Sequence, residues 1–153
     1  MRREKEPPSS DQRRHWMRVM AVSPSEALEK AFGQLGWKPA YRFLRRPESG
    51  GIMLRGRIGG TGNAFNMGEA TVTRCTVLLD DGPAGTAYVL GRDLRKAELV
   101  AVCDALLQDQ RYHQKTMQMI IQPLEAENQK RINQSSRQIA ATKVNFFTMT
   151  RGE

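Results

Sequence analysis

The side chains best suited to chemistry lie in and beside a glycine-rich segment near the middle of the chain. Backbone N–H groups of such a loop can cradle a phosphate, and arginine binds phosphate or carboxylate through two parallel hydrogen bonds. The segment lacks the Gly-Lys-Ser/Thr ending of a P-loop, and a predicted strand rather than a helix follows it. It is therefore predicted to be either an anion site or a connector in which glycine supplies positive φ angles. The candidate residues are Arg55, Arg57, Gly59, Gly60, Gly62 and Arg74.

The three arginines are predicted to form one positive patch. Arg55 and Arg57 are two residues apart in a predicted strand, so both should leave it on the same face, opposite its apolar side. Arg74 lies in the next predicted strand, where its guanidinium is expected to approach theirs beside the loop. The recipient is either a phosphate group of a nucleotide or, as we expect, the acidic side chains of a neighbouring subunit.

The sequence predicts no catalytic residue, no metal site and no cofactor. His15 and His113 are far apart in the chain, with no Cys or acid at ligand spacing beside either. Cys75 follows an arginine that favours the thiolate, but its apolar strand favours burial as a small side chain. Asp80 and Asp81 precede Gly-Pro and are predicted as turn residues. Two cysteines are too few for a disulfide scaffold or a four-ligand zinc site.

Composition is typical of a basic globular protein of one domain. The 153 residues carry 24 Lys and Arg against 16 Asp and Glu, a net charge of +8, and the isoelectric point is near 10.0. Such a field attracts polyanions, from nucleic acid to an acidic partner protein. The charge is spread along the sequence, which argues against a single basic tail. No long apolar run and no secretory signal is readable, so we expect a cytoplasmic protein with no membrane partner.

The N-terminal part predicts two helices. Residues 1–12 are charged or turn-forming and are predicted as a disordered lead-in. A short amphipathic helix is expected from Arg13. Ser23 and Glu26 have the spacing of a capping box, which predicts a second helix that ends at Gly36.

The middle of the chain predicts an antiparallel sheet. Runs of β-branched and aromatic residues alternate there with clusters of turn residues. A glycine-rich loop is expected at 59–69, between two hairpins. The predicted strands are 41–45 and 52–58, around a turn at 47–51, and 70–79 and 86–90, around a turn at 80–85.

The C-terminal part returns to helical periodicity. Asp93 is predicted to cap a helix that ends near Gln108. Another helix is expected at 111–121, which Pro123 breaks or restarts, and 124–142 is a polar helix or a partner-dependent segment. These elements predict an α+β fold, an antiparallel sheet of two hairpins packed by amphipathic helices.

The end of the chain, 143–153, is unusually apolar for a terminus and is predicted as a strand-like arm of the same domain, 13–153. Such an arm either adds a strand to its own sheet or is covered by another subunit. The predicted interface residues of the arm are Val144, Phe146, Phe147 and Met149.

Several short motifs, in order and across most of the chain, resemble the PhnG family, the G subunit of the carbon–phosphorus lyase core complex of bacterial phosphonate catabolism. Each motif is weak alone, and their joint order and spacing carry the resemblance. The motifs are Arg14-His15-Trp16-Met17, Pro47-Glu48-Ser49-Gly50, Gly59-Gly60-Thr61-Gly62, Gly68-Glu69-Ala70-Thr71-Val72-Thr73-Arg74, Tyr88-Val89-Leu90-Gly91-Arg92-Asp93, Ala97-Glu98, Asp104-Ala105-Leu106-Leu107-Gln108, Pro123-Leu124 and Val144-Asn145-Phe146-Phe147-Thr148-Met149.

The resemblance implies a supporting subunit rather than a self-contained enzyme. The family's subunit joins the H, I and J subunits (PhnH, PhnI and PhnJ) in a symmetric cytoplasmic assembly. With the I, H and L proteins it supports displacement of adenine from ATP by methylphosphonate, which gives ribose 1-methylphosphonate 5-triphosphate. The nucleosidase chemistry is attributed to the I subunit and the iron–sulfur radical step to the J subunit. ATP and the phosphonate would then meet this chain only through the complex.

Two other function classes compete with this interpretation. A nucleic-acid-binding module needs clustered Lys and Arg with exposed aromatic residues on one face, whereas here the basic residues are dispersed. A stand-alone enzyme needs an acid/base pair or a nucleophile, and the sequence offers neither. We therefore expect no nucleic-acid partner.

Overall fold

A computed structural model of the chain describes residues 7–143, which form an α+β fold as predicted. A 3₁₀ turn (Ile58–Gly60) follows the first strand, and a π-helical segment (Met117–Ile121) lies between the last two α-helices. In chain order the helices and strands are α1 (Ser10–Val22), α2 (Ser25–Gly33), β1 (Tyr41–Arg57), β2 (Ala64–Leu79), β3 (Ala84–Leu90), α3 (Leu94–Gln108), α4 (Gln110–Thr116) and α5 (Gln122–Ala141).

The three strands form an antiparallel sheet in the order β1-β2-β3, so that two hairpins share the central strand β2. The second hairpin lies nearly where the sequence predicts it. Asp81 in its turn has a φ of 55°. This angle is one that Asp tolerates better than most residues, which explains the turn signal in the sequence.

The first hairpin differs from its prediction. The segment 47–51 is not a turn, because β1 runs through it and pairs with β2 along its length. Pro47 lies where the register shifts between Arg45 and Glu48, on a strand at the edge of the sheet. A proline without an N–H is tolerated at such an irregularity. The loop between β1 and β2 is therefore shorter than the predicted 59–69, since β2 begins at Ala64.

Helix α1 begins earlier than predicted. Ser9 accepts a hydrogen bond from the backbone N–H of Gln12, whose side chain accepts one in return from the Ser9 N–H. This capping box starts the helix at Ser10, so 10–12 are helical rather than part of a disordered lead-in. Residues 1–6 lie outside the described range.

The predicted cap of α2 is wrong. Ser23 is buried, and its hydroxyl donates to the Val19 carbonyl at 2.7 Å, so it caps nothing in α2. Pro24 takes the N-cap position with no side-chain hydrogen bond. The helix ends at Gly33, and Gly36 lies in the following turn with a φ of 74° that favours glycine.

Helix α3 is the centre of the core and was predicted correctly. The Asp93 carboxylate accepts from the Lys96 N–H at 2.9 Å and caps the helix. Two thirds of the helix, ten of its fifteen residues, is buried. A Cβ built on Gly85 of β3 would lie 2.0 Å from the Ala101 carbonyl oxygen, so the helix packs directly on the strand backbone.

The C-terminal helices are continuous through Pro123, which neither breaks nor restarts them. The backbone N–H of Gln122 donates to the Met117 carbonyl five residues back, in the π pattern. Pro123 then falls in the first turn of α5, where a missing N–H costs little. Although polar, this helix docks on its own chain, since the Asn128 amide donates to the Val19 carbonyl at 3.1 Å.

Within the described range, the helices pack on one face of the sheet. We call this the inner face; on β2 it carries the buried residues Thr73, Cys75 and Val77. The opposite, outer face carries exposed side chains such as Tyr88 and Leu90 of β3. No helix within residues 7–143 combines the length and the apolarity that crossing a bilayer requires.

Candidate functional site

The glycine-rich turn and its arginines lie at the tip of a two-stranded projection. Strand β3 pairs with β2 only as far as Val72, whereas β1 and β2 continue to pair from Gly51 and Thr71 to Arg57 and Ala64. We call residues 51–71 the ribbon. Its seven residue pairs extend roughly 20 Å past the end of β3 at about 3.4 Å per residue. The predicted site is therefore held away from the core.

The glycines of the turn are required by its backbone conformation. Gly59 and Gly60 have φ angles of 63° and 78°, which residues with a Cβ rarely adopt. A Cβ on Gly62 would lie 2.6 Å from the Ile58 carbonyl oxygen, which accepts the Gly62 N–H at 2.8 Å. Turn geometry alone accounts for these three glycines, and an anion at the loop stays a prediction.

Arg55 and Arg57 are exposed and lie on the same face of the ribbon, as the alternation of β1 predicts. This is the inner face, because Ser49 of the same strand contacts the buried Thr73 across a 2.9 Å hydroxyl hydrogen bond. Neither arginine forms an ion pair with any residue in 7–143. Both guanidiniums are thus available to an external anion.

Arg74 does not lie near Arg55 and Arg57, contrary to the sequence-based expectation. It pairs with Glu48 in the register, and Asn66 pairs with Arg55, so the two arginines are about 27 Å apart along β2. Arg74 also points to the outer face. Its Nε lies 2.7 Å from the Glu48 Oε1, and Arg45 approaches the same oxygen at 3.4 Å. The prediction of a single patch of three arginines is therefore wrong.

The two faces of the ribbon differ in chemistry. Alternation along β1 puts Ile52 and Leu54 on the outer face and Met53 on the inner face with the two arginines. Met67 also lies outside, because a Cβ on Gly56 would sit 2.3 Å from its sulfur. The outer face is therefore apolar and the inner face mainly polar, as in a strand pair that is covered on one side only.

A buried polar centre that sequence reasoning missed lies in the core, away from the ribbon. Asp104 of α3 is fully buried and accepts from Arg13 at 2.7 and 3.1 Å and from the Trp16 Nε1 at 3.0 Å. The Thr86 N–H and the Gln108 side chain donate to it at 3.1 Å each. The carboxylate raises the pKa of Arg13. In the sequence, the signal for this centre was a lone acid within an apolar helix. The role of Asp104 is to join α1, β3 and α3.

The remaining titratable candidates have structural surroundings. The Nδ1 of His113 donates to the Leu107 carbonyl at 2.6 Å, and the Nε2 of His15 lies 3.3 Å from the Glu125 carboxylate. Burial raises the pKa of the Cys75 thiol to about 11, which fits a packing role and not a reactive thiolate. In the part of the chain that the structure describes, no three His, Cys, Asp or Glu side chains form a group that could hold a metal.

The predicted arm, 143–153, lies outside the described residues except for Lys143. Helix α5 ends at Ala141, two residues before the end of the described range. The arm residues Val144, Phe146, Phe147 and Met149 lie outside that range.

Two comparisons with known proteins agree. The family profile described as "Phosphonate metabolism protein PhnG" matches residues 11–152. The alpha-D-ribose 1-methylphosphonate 5-triphosphate synthase subunit PhnG of Rhizobium meliloti (strain 1021) is 40% identical over 142 residues, which cover 93% of this chain and 90% of that protein.

Proposed function

The chain belongs to the PhnG family, and from that premise we propose that it is a supporting subunit of the carbon–phosphorus lyase core complex in phosphonate catabolism. In this role it assists the formation of alpha-D-ribose 1-methylphosphonate 5-triphosphate. Methylphosphonate displaces adenine from ATP in that reaction, so a new bond to ribose C1 forms as the glycosidic bond to adenine breaks. We expect no stand-alone active site in the chain itself.

The observation that carries this proposal is the 40% identity to a named synthase subunit along nearly the whole of both chains. The family profile matches residues 11–152, which include the ribbon, the helices and most of the arm, so the similarity concerns the whole chain and not one element. The amphipathic ribbon supports the same conclusion, because a projecting, half-apolar strand pair is suited to contact with another protein.

The partners in this proposal are the H, I and J subunits, and the location is the cytoplasm. Arg55 and Arg57 provide positive charge at the tip of the ribbon and form no ion pair with the described residues 7–143. We assign them to an anionic group in the complex, either carboxylates of a neighbouring subunit or a nucleotide phosphate. The arm 143–153 is a second candidate contact, through its four apolar residues.

Co-expression tests the proposal. The chain should purify with the H, I and J subunits, and ATP with methylphosphonate should release adenine only when this chain completes the set of G, H, I and L proteins. The matched control is the same set without this chain, which should release no adenine above background.

The isolated chain provides the opposite test. It should release no adenine from ATP and methylphosphonate at any concentration. Adenine release by the chain alone, abolished by a point mutation in it, would contradict the supporting role, and so would full activity of the set without it.

A further inference from the structure

The outer face of the sheet exposes apolar side chains on β3 and along the ribbon, while Val72 of β2 between them is buried. Leu90 and Tyr88 of β3 are 76% and 64% exposed, and Met67 at the far end of the ribbon is 66% exposed. Between them lie Ile52 and Leu54, each more than two fifths exposed. Single exposed apolar residues are ordinary, but an aligned series of them on one surface marks an interaction site.

The register makes this a single continuous surface. Leu90 pairs with Val72, which pairs with Gly50 on β1, and Ile52 follows two residues later on the same face. Apolar positions therefore pass from β3 across β2 and out along the ribbon without a change of face. Gly50 contributes no side chain that would interrupt the surface.

The ribbon has a physical need for a cover. An isolated pair of strands is marginally stable in water and becomes stable when a third strand or another surface packs on its apolar face. The inner layer of helices does not reach the ribbon, whose residues between Gly51 and Glu69 are nearly all exposed. The missing layer must come from outside the described residues.

The charge of the outer face indicates what kind of surface binds there. Among the described residues, the outer face carries Arg42, Arg45 and Arg74 against the single acid Glu48, which both Arg45 and Arg74 contact. Arg42 has no ion pair within residues 7–143. A second copy of the chain would oppose three arginines with three more, and like charges disfavour that contact. The complementary surface is apolar with carboxylates at its edge.

We propose that the outer face of the sheet, continued along the ribbon, is the docking surface for a different protein subunit that presents an apolar patch edged by Asp or Glu. This inference rests on the proposed function and identifies which face of the chain enters the complex. Arg42 and the Arg45–Glu48–Arg74 cluster face the partner's acids, while Ile52, Leu54 and Met67 are buried against its apolar patch.

Neighbouring residues of one strand provide a matched test. Ile52 and Met53 are both exposed and apolar but lie on opposite faces of the ribbon. The full-length variants Ile52→Asn and Met53→Asn would be titrated into an assembly of the H, I and J subunits. Burial of a side chain the size of Ile makes a contribution equal to about a tenfold or larger change in Kd. Ile52→Asn should lose that affinity, and Met53→Asn should stay within a factor of about three.

A third variant tests whether a loss of binding comes only from local misfolding of the ribbon. Leu90→Asn changes a more exposed residue at the other end of the face, on β3, and should also weaken binding. Equal binding by wild type, Ile52→Asn and Leu90→Asn would overturn the docking surface while leaving the proposed function intact. Equal losses in Ile52→Asn and Met53→Asn would also overturn it, since the face would then not matter.

Two further outcomes separate the remaining explanations. If the wild-type chain does not bind the H, I and J subunits at all, the proposed function fails and the docking surface fails with it. Sedimentation of the isolated chain tests self-association. A wild-type dimer that Ile52→Asn converts to a monomer, with assembly unchanged, would assign the face to a second copy and overturn the proposal.

Discussion

Arg74 and Glu48 are cross-strand neighbours on the outer face of the sheet, and the Nε of Arg74 lies 2.7 Å from the Oε1 of Glu48. Both side chains are about half exposed. The pair fixes Arg74 at the base of the ribbon, far from the glycine-rich turn, and it separates the charge of the outer face from that of Arg55 and Arg57.

Removal of this ion pair should have little effect on the isolated fold. Exposed pairs contribute about 0.2–1 kcal/mol, because water screens the charges and two long side chains lose freedom. Arg74→Ala should therefore lower the free energy of unfolding by less than about 1 kcal/mol, measured by urea denaturation. A loss several times larger would mean that Arg74 has a role in packing that the contacts do not account for.

Substitution of Asp104, unlike that of Arg74, should strongly destabilise the isolated fold. Asp104→Asn replaces an acceptor-only carboxylate with an amide whose NH₂ faces existing donors, and it removes the charge that pairs with Arg13. Breaking a buried pair typically costs about 3–5 kcal/mol, and the partial exposure of Arg13 puts the expected loss near 3 kcal/mol. Urea denaturation would measure it.

The control for Asp104→Asn is Asp80→Asn, an identical change at an exposed residue of the β2–β3 turn. It should change stability by no more than about 0.5 kcal/mol. Similar losses in the two variants would contradict the role of the buried centre.

Acid should weaken the start of α3. Hydrogen bonds from the Ser25 side chain and then from the Lys96 N–H lower the pKa of Asp93 below its ordinary value. Because the folded pKa is lowered, the carboxylate contributes its full stabilisation above the unfolded value of about 3.9, and this is lost as pH falls through the folded pKa. Unfolding free energies measured between pH 6 and pH 2.5 should therefore fall more steeply in the wild type than in Asp93→Asn, which still caps but does not titrate. Parallel curves would contradict this.

The two ribbon arginines should affect the complex and not the fold. The double variant Arg55→Ala/Arg57→Ala should unfold at the wild-type urea concentration, since both side chains are exposed and neither forms an ion pair with a residue in 7–143. If they bind carboxylates of a neighbouring subunit, loss of a buried charged pair should weaken assembly by about 2–5 kcal/mol. If they bind a nucleotide phosphate, assembly should persist while the KM for ATP rises.

The matched control for that double variant is Arg14→Ala, an exposed arginine on α1. It should change neither assembly nor the KM for ATP. Wild-type assembly and wild-type kinetics in the ribbon variant would remove both anion assignments and leave the turn as a plain connector.

Elements with local signals were predictable from the sequence. Asp93 followed by apolar residues at helical spacing was enough to predict α3, and the turn around Asp81 was enough to predict the second hairpin. In both cases the deciding interactions join residues close in sequence. The same-face placement of Arg55 and Arg57 was predictable for that reason as well, because it depends only on strand alternation.

Elements decided by distant contacts were not predictable. Pro47 with its following Ser and Gly residues has the composition of a turn, but pairing with β2 keeps it in a strand. Ser23 has the spacing of a cap, but its hydroxyl bonds to Val19, and the Asn128 side chain packs against it from more than a hundred residues away. Arg74 could not be assigned a face before its pairing register was known.

Amide hydrogen exchange tests most directly whether the chain joins its complex through the outer face and the ribbon. In the isolated chain, the amides of 51–57 and 64–70 should exchange fast, because a two-stranded ribbon with an uncovered apolar face opens readily. In the complex with the H, I and J subunits these amides should become strongly protected, while those of the buried helix α3 should be slow in both states. Equal exchange of the ribbon amides with and without the partner subunits would contradict the account.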